Sequence, residues 1–195
     1  MKFKYAAGIT PLDRDELDGL KPGHIATQGQ LDEWESANIA KARIWLFHKA
    51  KHRTCLTIDF IKLLHKKMFN ETWKWAGCFR KTEKNIGIDP CEIPVALKNL
   101  LDDVVYQIEN AIYPIEEIAC RFHHRLVWIH PFSNGNGRHA RMMADVLLVQ
   151  NFKPSFTWGA HKRETSKSHI RKQYIDALRQ ADKGDYTKLL VFVRM

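Results

Sequence analysis

The chain has 195 residues, 45% of them hydrophobic, with 6 Trp and 10 Phe, which excludes a disordered tail and favours one domain with a substantial core. Its 31 Lys and Arg against 22 Asp and Glu leave a net charge of +9, a balance that favours anionic partners and says nothing about fold. No run approaches the roughly 20 apolar residues that span a bilayer, and the first residues hold no stretch of signal-peptide length, so no membrane partner is expected. Cys55, Cys78, Cys91 and Cys120 form no CxxC pair, as suits a cytoplasmic protein with reduced thiols.

In chain order, "TPLDRDELDGLKPGHIATQG" is rich in turn residues and reads as an irregular arm. Thr27 and Gln30 fit a capping box that opens a helix over about 30–52. On it Leu31, Trp34, Asn38, Ala42 and Trp45 form an inward stripe, with Glu35 on the same side. A second helix, about 57–70, carries Ile61, Leu64 and Met68. "WKWAGCFRKTEKNIGIDPCEIP" follows, broken by Gly and Asp-Pro, and reads as a short hairpin or extended flap. Leu97, Leu101, Val104, Ile108 and Ile112 predict a helix over 93–112, and Ile118, Phe122, Leu126 and Ile129 one over 114–129. Helix resumes in "GRHARMMADVLLVQN", and two more are expected at about 165–181 and 186–194. The fold class is all-α with a small β-hairpin flap, divided into an arm and helix at 1–55 and a core at 56–195.

The stretch with most chemistry is "HPFSNGNGRHAR", residues 130–141. A helix ends near Ile129 and another begins near Gly137, so the loop presents unpaired backbone N–H groups at a helix N-terminus, which suits phosphate. Gly135 and Gly137 let that backbone curl, and Arg138 and Arg141 project toward the helix start, able to fork onto successive phosphates. His130 can take a proton from an incoming hydroxyl, while His139 should point away from the arginines. His130 and His139 are the motif's candidates for titration near neutral pH. Together these parts describe transfer of a phosphate-containing group. Cys120 and His124, four apart, are a weak metal pair with no completing ligands.

This motif resembles the signature of the Fic (Fic/Doc) family, HxFx[D/E]GNGRxxR, and departs from it at one fixed position, Asn134. "LLHKKMFNETWKWAGCFR" and "YIDALRQADKGDYTKLLVFV" are similar to other family segments, and the details look most like the subgroup called mobile mystery protein B, found on mobile elements. The resemblance implies a Fic-like helical bundle and AMPylation: ATP is the substrate, and AMP passes to a hydroxyl of a target protein. It implies His130 as general base, Phe132 as anchor, Gly135, Asn136 and Gly137 as an anion hole, and Arg138 and Arg141 as phosphate ligands, Arg141 for the γ-phosphate. The flap, 84–93, would hold the target as an added strand.

Asn134 stands where family members carry an Asp or Glu for Mg²⁺ (or Mn²⁺); an amide oxygen coordinates but brings no charge. That leaves open weak activity, another phosphate-containing donor, or a nucleotide-binding regulator that does not turn over. The third reading, a basic nucleic-acid binder, rests on net charge alone and would bind with steep salt dependence and indifference to ATP. The resemblance also implies an inhibitory helix, closest in "LDEWES", whose Glu35 is expected to pair with Arg141. Toxin-like behaviour held by an antitoxin or regulator protein is the remaining expectation.

Overall fold

The computed structural model describes residues 13–49, 53–160 and 167–195. The fold is all-α. A short α1 (Arg14–Leu17) ends the arm, and α2 (Gln28–Lys49) begins where the capping box operates. The Gln30 side chain accepts from the Thr27 backbone at 3.1 Å, and the Thr27 hydroxyl accepts from the Gln30 N–H at 3.3 Å. Helix α3 (Ile58–Phe69) is capped by Thr57, and Ile61, Leu64 and Met68 are fully buried on it. A 3₁₀ turn (Pro90–Glu92) leads into α4 (Ile93–Glu109), followed by α5 (Ile115–Ile129), α6 (Asn136–Gln150), α7 (Lys167–Ala181) and α8 (Thr187–Val193). The expected arm residues 10–12, helix end 50–52 and helix start 165–166 lie outside the described residues.

Helices α5 and α6 pack most extensively; α4 flanks α5, α3 touches α6, α2 covers α3, and the α7–α8 pair reaches α5 through α8. Their shared core buries Phe122, Phe132, Ile129, Leu147 and Leu148, each side chain contributing about 1.5–3 kcal/mol of transfer free energy. No helix among the described residues is long and apolar enough to cross a membrane.

Two expectations change. The inner face of α2 is Leu31, Glu35, Asn38, Ala42 and Leu46, all buried, whereas Trp34 is 37% exposed and Trp45 only partly covered. Trp34 turns outward to meet His24 edge-on and donates its indole N–H to the Glu71 carbonyl. Nor does the stretch 73–94 form a hairpin: its flap, 84–93, lies outside any strand, and among the described residues the β pairing is one isolated bridge, Leu20 to Trp73. The segment is held instead by Arg80, whose guanidinium donates to the carbonyls of Thr82 and Ile88. A side chain, not a cross-strand ladder, closes the flap.

Candidate active site

The loop at 130–135 is held by its own side chains. His130 ends α5 in the left-handed region, φ 55°, its N–H on the Leu126 carbonyl. Phe132 is fully buried and stacks on His65 with ring centres 3.7 Å apart. Asn136 closes the turn reciprocally: its Oδ1 accepts from the Phe132 N–H at 2.9 Å and its Nδ2 donates to the Phe132 carbonyl at 2.7 Å. Gly135, at φ 79°, precedes the first turn of α6, and a Cβ there would lie 2.5 Å from the Phe69 ring. At Gly137 the same construction meets nothing nearer than the Tyr174 hydroxyl at 3.8 Å. The protein's own packing therefore requires glycine at 135 and not at 137.

His65, which the sequence reading passed over, fixes the loop from below. The Gly77 N–H donates to its Nδ1 at 3.0 Å, so Nε2 carries the proton and donates to the Asn134 carbonyl, also 3.0 Å away. Full burial, with the nearby His139, holds its pKa well below the ordinary value. The signal was its place four residues after Ile61 on an apolar stripe.

His130 is almost buried, and Nδ1 donates to the Val127 carbonyl at 3.3 Å, a tautomer that puts the lone pair on Nε2. Burial lowers its pKa to about 4, with the Arg80 and Lys84 charges adding to the effect. His139 points into the core, donates to the Ile61 carbonyl at 3.0 Å, and is likewise lowered to about 4 by burial. Neither histidine titrates near neutral pH, because desolvation removes the charged form. The flap lies on His130: a Cβ at Gly87 would be 2.7 Å from the His130 Cβ. Arg80, 3% exposed, ties the two together by donating from Nε to the His130 carbonyl at 2.7 Å.

The two motif arginines have different surroundings. Arg138 donates from Nη1 to Glu35 Oε2 at 2.6 Å and from Nη2 to Asn134 Oδ1 at 3.1 Å, over the Phe69 ring. Arg141 instead lies on the Tyr174 ring at 4.7 Å, and its buried Nε has no hydrogen-bond partner among the described residues. Glu35 thus pairs with Arg138 and not with Arg141 as expected. Its buried carboxylate takes a second donor, the Trp73 indole N–H at 2.7 Å, and that indole fixes the carboxylate in front of Arg138. The contacts of Trp73, Tyr174 and Arg80 span distant segments, so spacing along the sequence gives no sign of these partners.

The donor set does not make a resident metal site. Asn134 offers one neutral oxygen, already engaged by Arg138, and among the described residues no three His, Cys, Asp or Glu come together to hold an ion. His124, the other metal candidate, faces Asp182 at 2.8 Å and Tyr186 at 3.1 Å.

Residues 55–148 match the model of the Fic/DOC family. A protein adenylyltransferase Fic of Nematostella vectensis is 28% identical over 144 residues, 71% of this chain and 31% of that protein. One of Aedes aegypti is 36% identical over 143 residues, 71% of this chain and 27% of that protein. The chain spans about three-tenths of the length of such relatives. Among solved structures, Fic-1 of Caenorhabditis elegans superposes with a TM-score of 0.71 at 21% identity, covering 91% of this chain and 51% of that one. BepC of Bartonella tribocorum, solved with bound AMPPNP, gives 0.69 at 18% identity over 93% of this chain and 97% of that one. Residues 55–148 of the chain are a Fic domain of the Fic/DOC family.

Proposed function

We propose that the protein transfers AMP from ATP to a hydroxyl side chain of a target protein. The observation that carries this reading is Gly137. A side chain there would fit the protein, so the glycine is explained by a ligand that approaches the N-terminus of α6 closely. The N–H groups of the first turn, Asn136 and Gly137 among them, then face a phosphate, with Arg138 and Arg141 as its cationic partners. His130, neutral at pH 7 with its lone pair on Nε2, takes the proton of the attacking hydroxyl as the oxygen bonds to the α-phosphorus and pyrophosphate departs. Phe132 and Asn136 keep the loop in that shape. Any Mg²⁺ or Mn²⁺ arrives with the nucleotide, held chiefly by phosphate oxygens. The adenylyltransferase names of the similar proteins point the same way.

Glu35 restrains the reaction by occupying Arg138, so the phosphates must displace a carboxylate before the site is complete. A second reading, a nucleotide-binding regulator of low turnover, is favoured by the neutral oxygen of Asn134. The test is incubation with a cellular proteome and ATP labelled at the α- or the γ-phosphate. Label on protein from the α-position supports nucleotidyl transfer; label from the γ-position alone means phosphorylation; nucleotide binding without label means the regulator.

A further inference from the structure

Lys84 belongs to the flap, yet its side chain is only 2% exposed, because two carboxylates of the arm sit on it. Its Nζ lies 2.7 Å from Asp13 Oδ2 and 2.5 Å from Glu16 Oε2. The Thr82 hydroxyl donates to the same Asp13 oxygen at 2.8 Å. Lys84 and Thr82 together hold the Asp13 carboxyl below its ordinary pKa. The seat is therefore a cation and a hydroxyl, matched to a carboxylate, on a segment that touches the candidate base. Arg80 fixes its position by bonding the carbonyls of Thr82, Ile88 and His130 at once. The charge of Lys84 is felt at His130 itself.

We propose that Lys84 and Thr82 select acidic residues flanking the hydroxyl to be modified, and that the arm, through Asp13 and Glu16, is an internal occupant that a target must displace. The inference rests on the reading of the flap as the place where the target lies. The arm's hold suits exchange: Asp13 is half exposed, and pairs of that kind are weak and screened by salt. Glu16 is fastened further by its carbonyl, which accepts from the Trp75 indole at 3.0 Å, and Lys74 bonds the Gly19 carbonyl at 2.8 Å. Displacement therefore peels the arm from its Asp13 end. An acidic segment replaces like with like and leaves the nearly buried ammonium paired, whereas a neutral segment would strand it. The net charge of +9 draws the same class of partner.

The test uses the full chain without nucleotide. A fluorescein-labelled tyrosine peptide with Asp and Glu on both sides, and its Asn/Gln counterpart, are titrated and read by anisotropy. The acidic peptide should bind the Asp13→Asn/Glu16→Gln variant about tenfold more tightly than wild type, and adding Lys84→Ala should remove that gain. Wild type provides a readout that no folding defect can mimic: the saturating acidic peptide should speed amide exchange over residues 13–21 and leave α5 and α6 unchanged. Equal affinity for the two peptides, no gain in the arm variant, or an arm whose exchange does not change overturns the proposal. Displacement of the peptide by ATP also overturns it, assigning Lys84 to the nucleotide. Peptide binding without any α-phosphate label would leave this inference standing while the transfer reading fell.

Discussion

Glu35 Oε2 accepts from Arg138 Nη1 at 2.6 Å, joining α2 to the N-terminus of α6 across 103 residues of sequence. The carboxylate is buried and the guanidinium about one-third exposed, so under the proposed function an incoming phosphate would compete with Glu35 for the same fork. Because Trp73 holds the other carboxylate oxygen, the glutamate cannot swing away without leaving an indole N–H unpaired. Glu35→Gln keeps an acceptor for Trp73 and removes the charge. ATP affinity, measured by calorimetry, should rise about tenfold, with transfer rising alongside it. Unchanged affinity would make the pair a structural strut with no bearing on the nucleotide.

His130→Ala should lower transfer by about 10²–10⁴-fold, the usual worth of a positioned base, and leave ATP affinity near wild type. Single-turnover rates and calorimetry on the same preparation separate the two effects. A folded variant with wild-type transfer would remove His130 from the chemistry.

The two motif glycines should respond in opposite ways. Gly135→Ala forces a side chain into the Phe69 ring at a positive φ, and the melting temperature should fall with a loss of about 2–4 kcal/mol. Gly137→Ala has room and gains helix propensity, so stability should hold or rise by up to about 1 kcal/mol while ATP binding weakens. Thermal melts beside ATP titrations check both. Loss of stability without loss of binding at 137 would contradict the ligand-facing role.

Much of this arrangement was legible in the sequence. The Thr27–Gln30 box marked the start of α2, and Ile61, Leu64 and Met68 identified α3, because caps and stripes are local. The fixed spacing of "HPFSNGNGRHAR" located the loop. The partner of Glu35 was not legible: Arg138 and Arg141 differ by only about 60° around α6, and which one faces α2 depends on how the helices dock. The inner face of α2 was blurred by its own polar residues, Glu35 and Asn38, which are buried only because Trp73, Arg138 and Thr72 meet them. The flap followed its Gly and Pro breaks as a turn, but that Arg80 would close it in place of a strand ladder needed the carbonyls of Thr82 and Ile88 in space.

Acid should unfold the protein earlier than its surface charge suggests. His130 and His139 are lowered to about 4, His123 to about 3, and His65 well below the ordinary value, all chiefly by burial. Between the unfolded value near 6.5 and those folded values the unfolded chain binds more protons, so the stability they supply is whole above pH 6.5 and drains as pH falls toward 4. Each contributes a slope of about 1.4 kcal/mol per pH unit. Asp145, raised to about 6 by burial, acts in the opposite sense below that pH and offsets one of them. Urea titrations from pH 7 to 4 should show the steep fall; a flat profile would mean these rings are solvated.

Asn134→Asp introduces a carboxylate that bonds Arg138 from one side while Glu35 holds it from the other. Transfer should become more responsive to Mg²⁺ or Mn²⁺, since a charged oxygen binds these ions better than an amide does. A metal titration of self-modification decides it, and an Asp variant that gains nothing at any concentration would show that position 134 is not where the ion sits.

The most direct measurement is the label from α-phosphate-labelled ATP deposited on protein by Glu35→Gln, set beside Glu35→Gln/His130→Ala and wild type. The account predicts strong label in the first, none above background in the second and weak label in the third, with γ-labelled ATP giving none. Label from the γ-phosphate alone, or α-label that survives loss of His130, would contradict it.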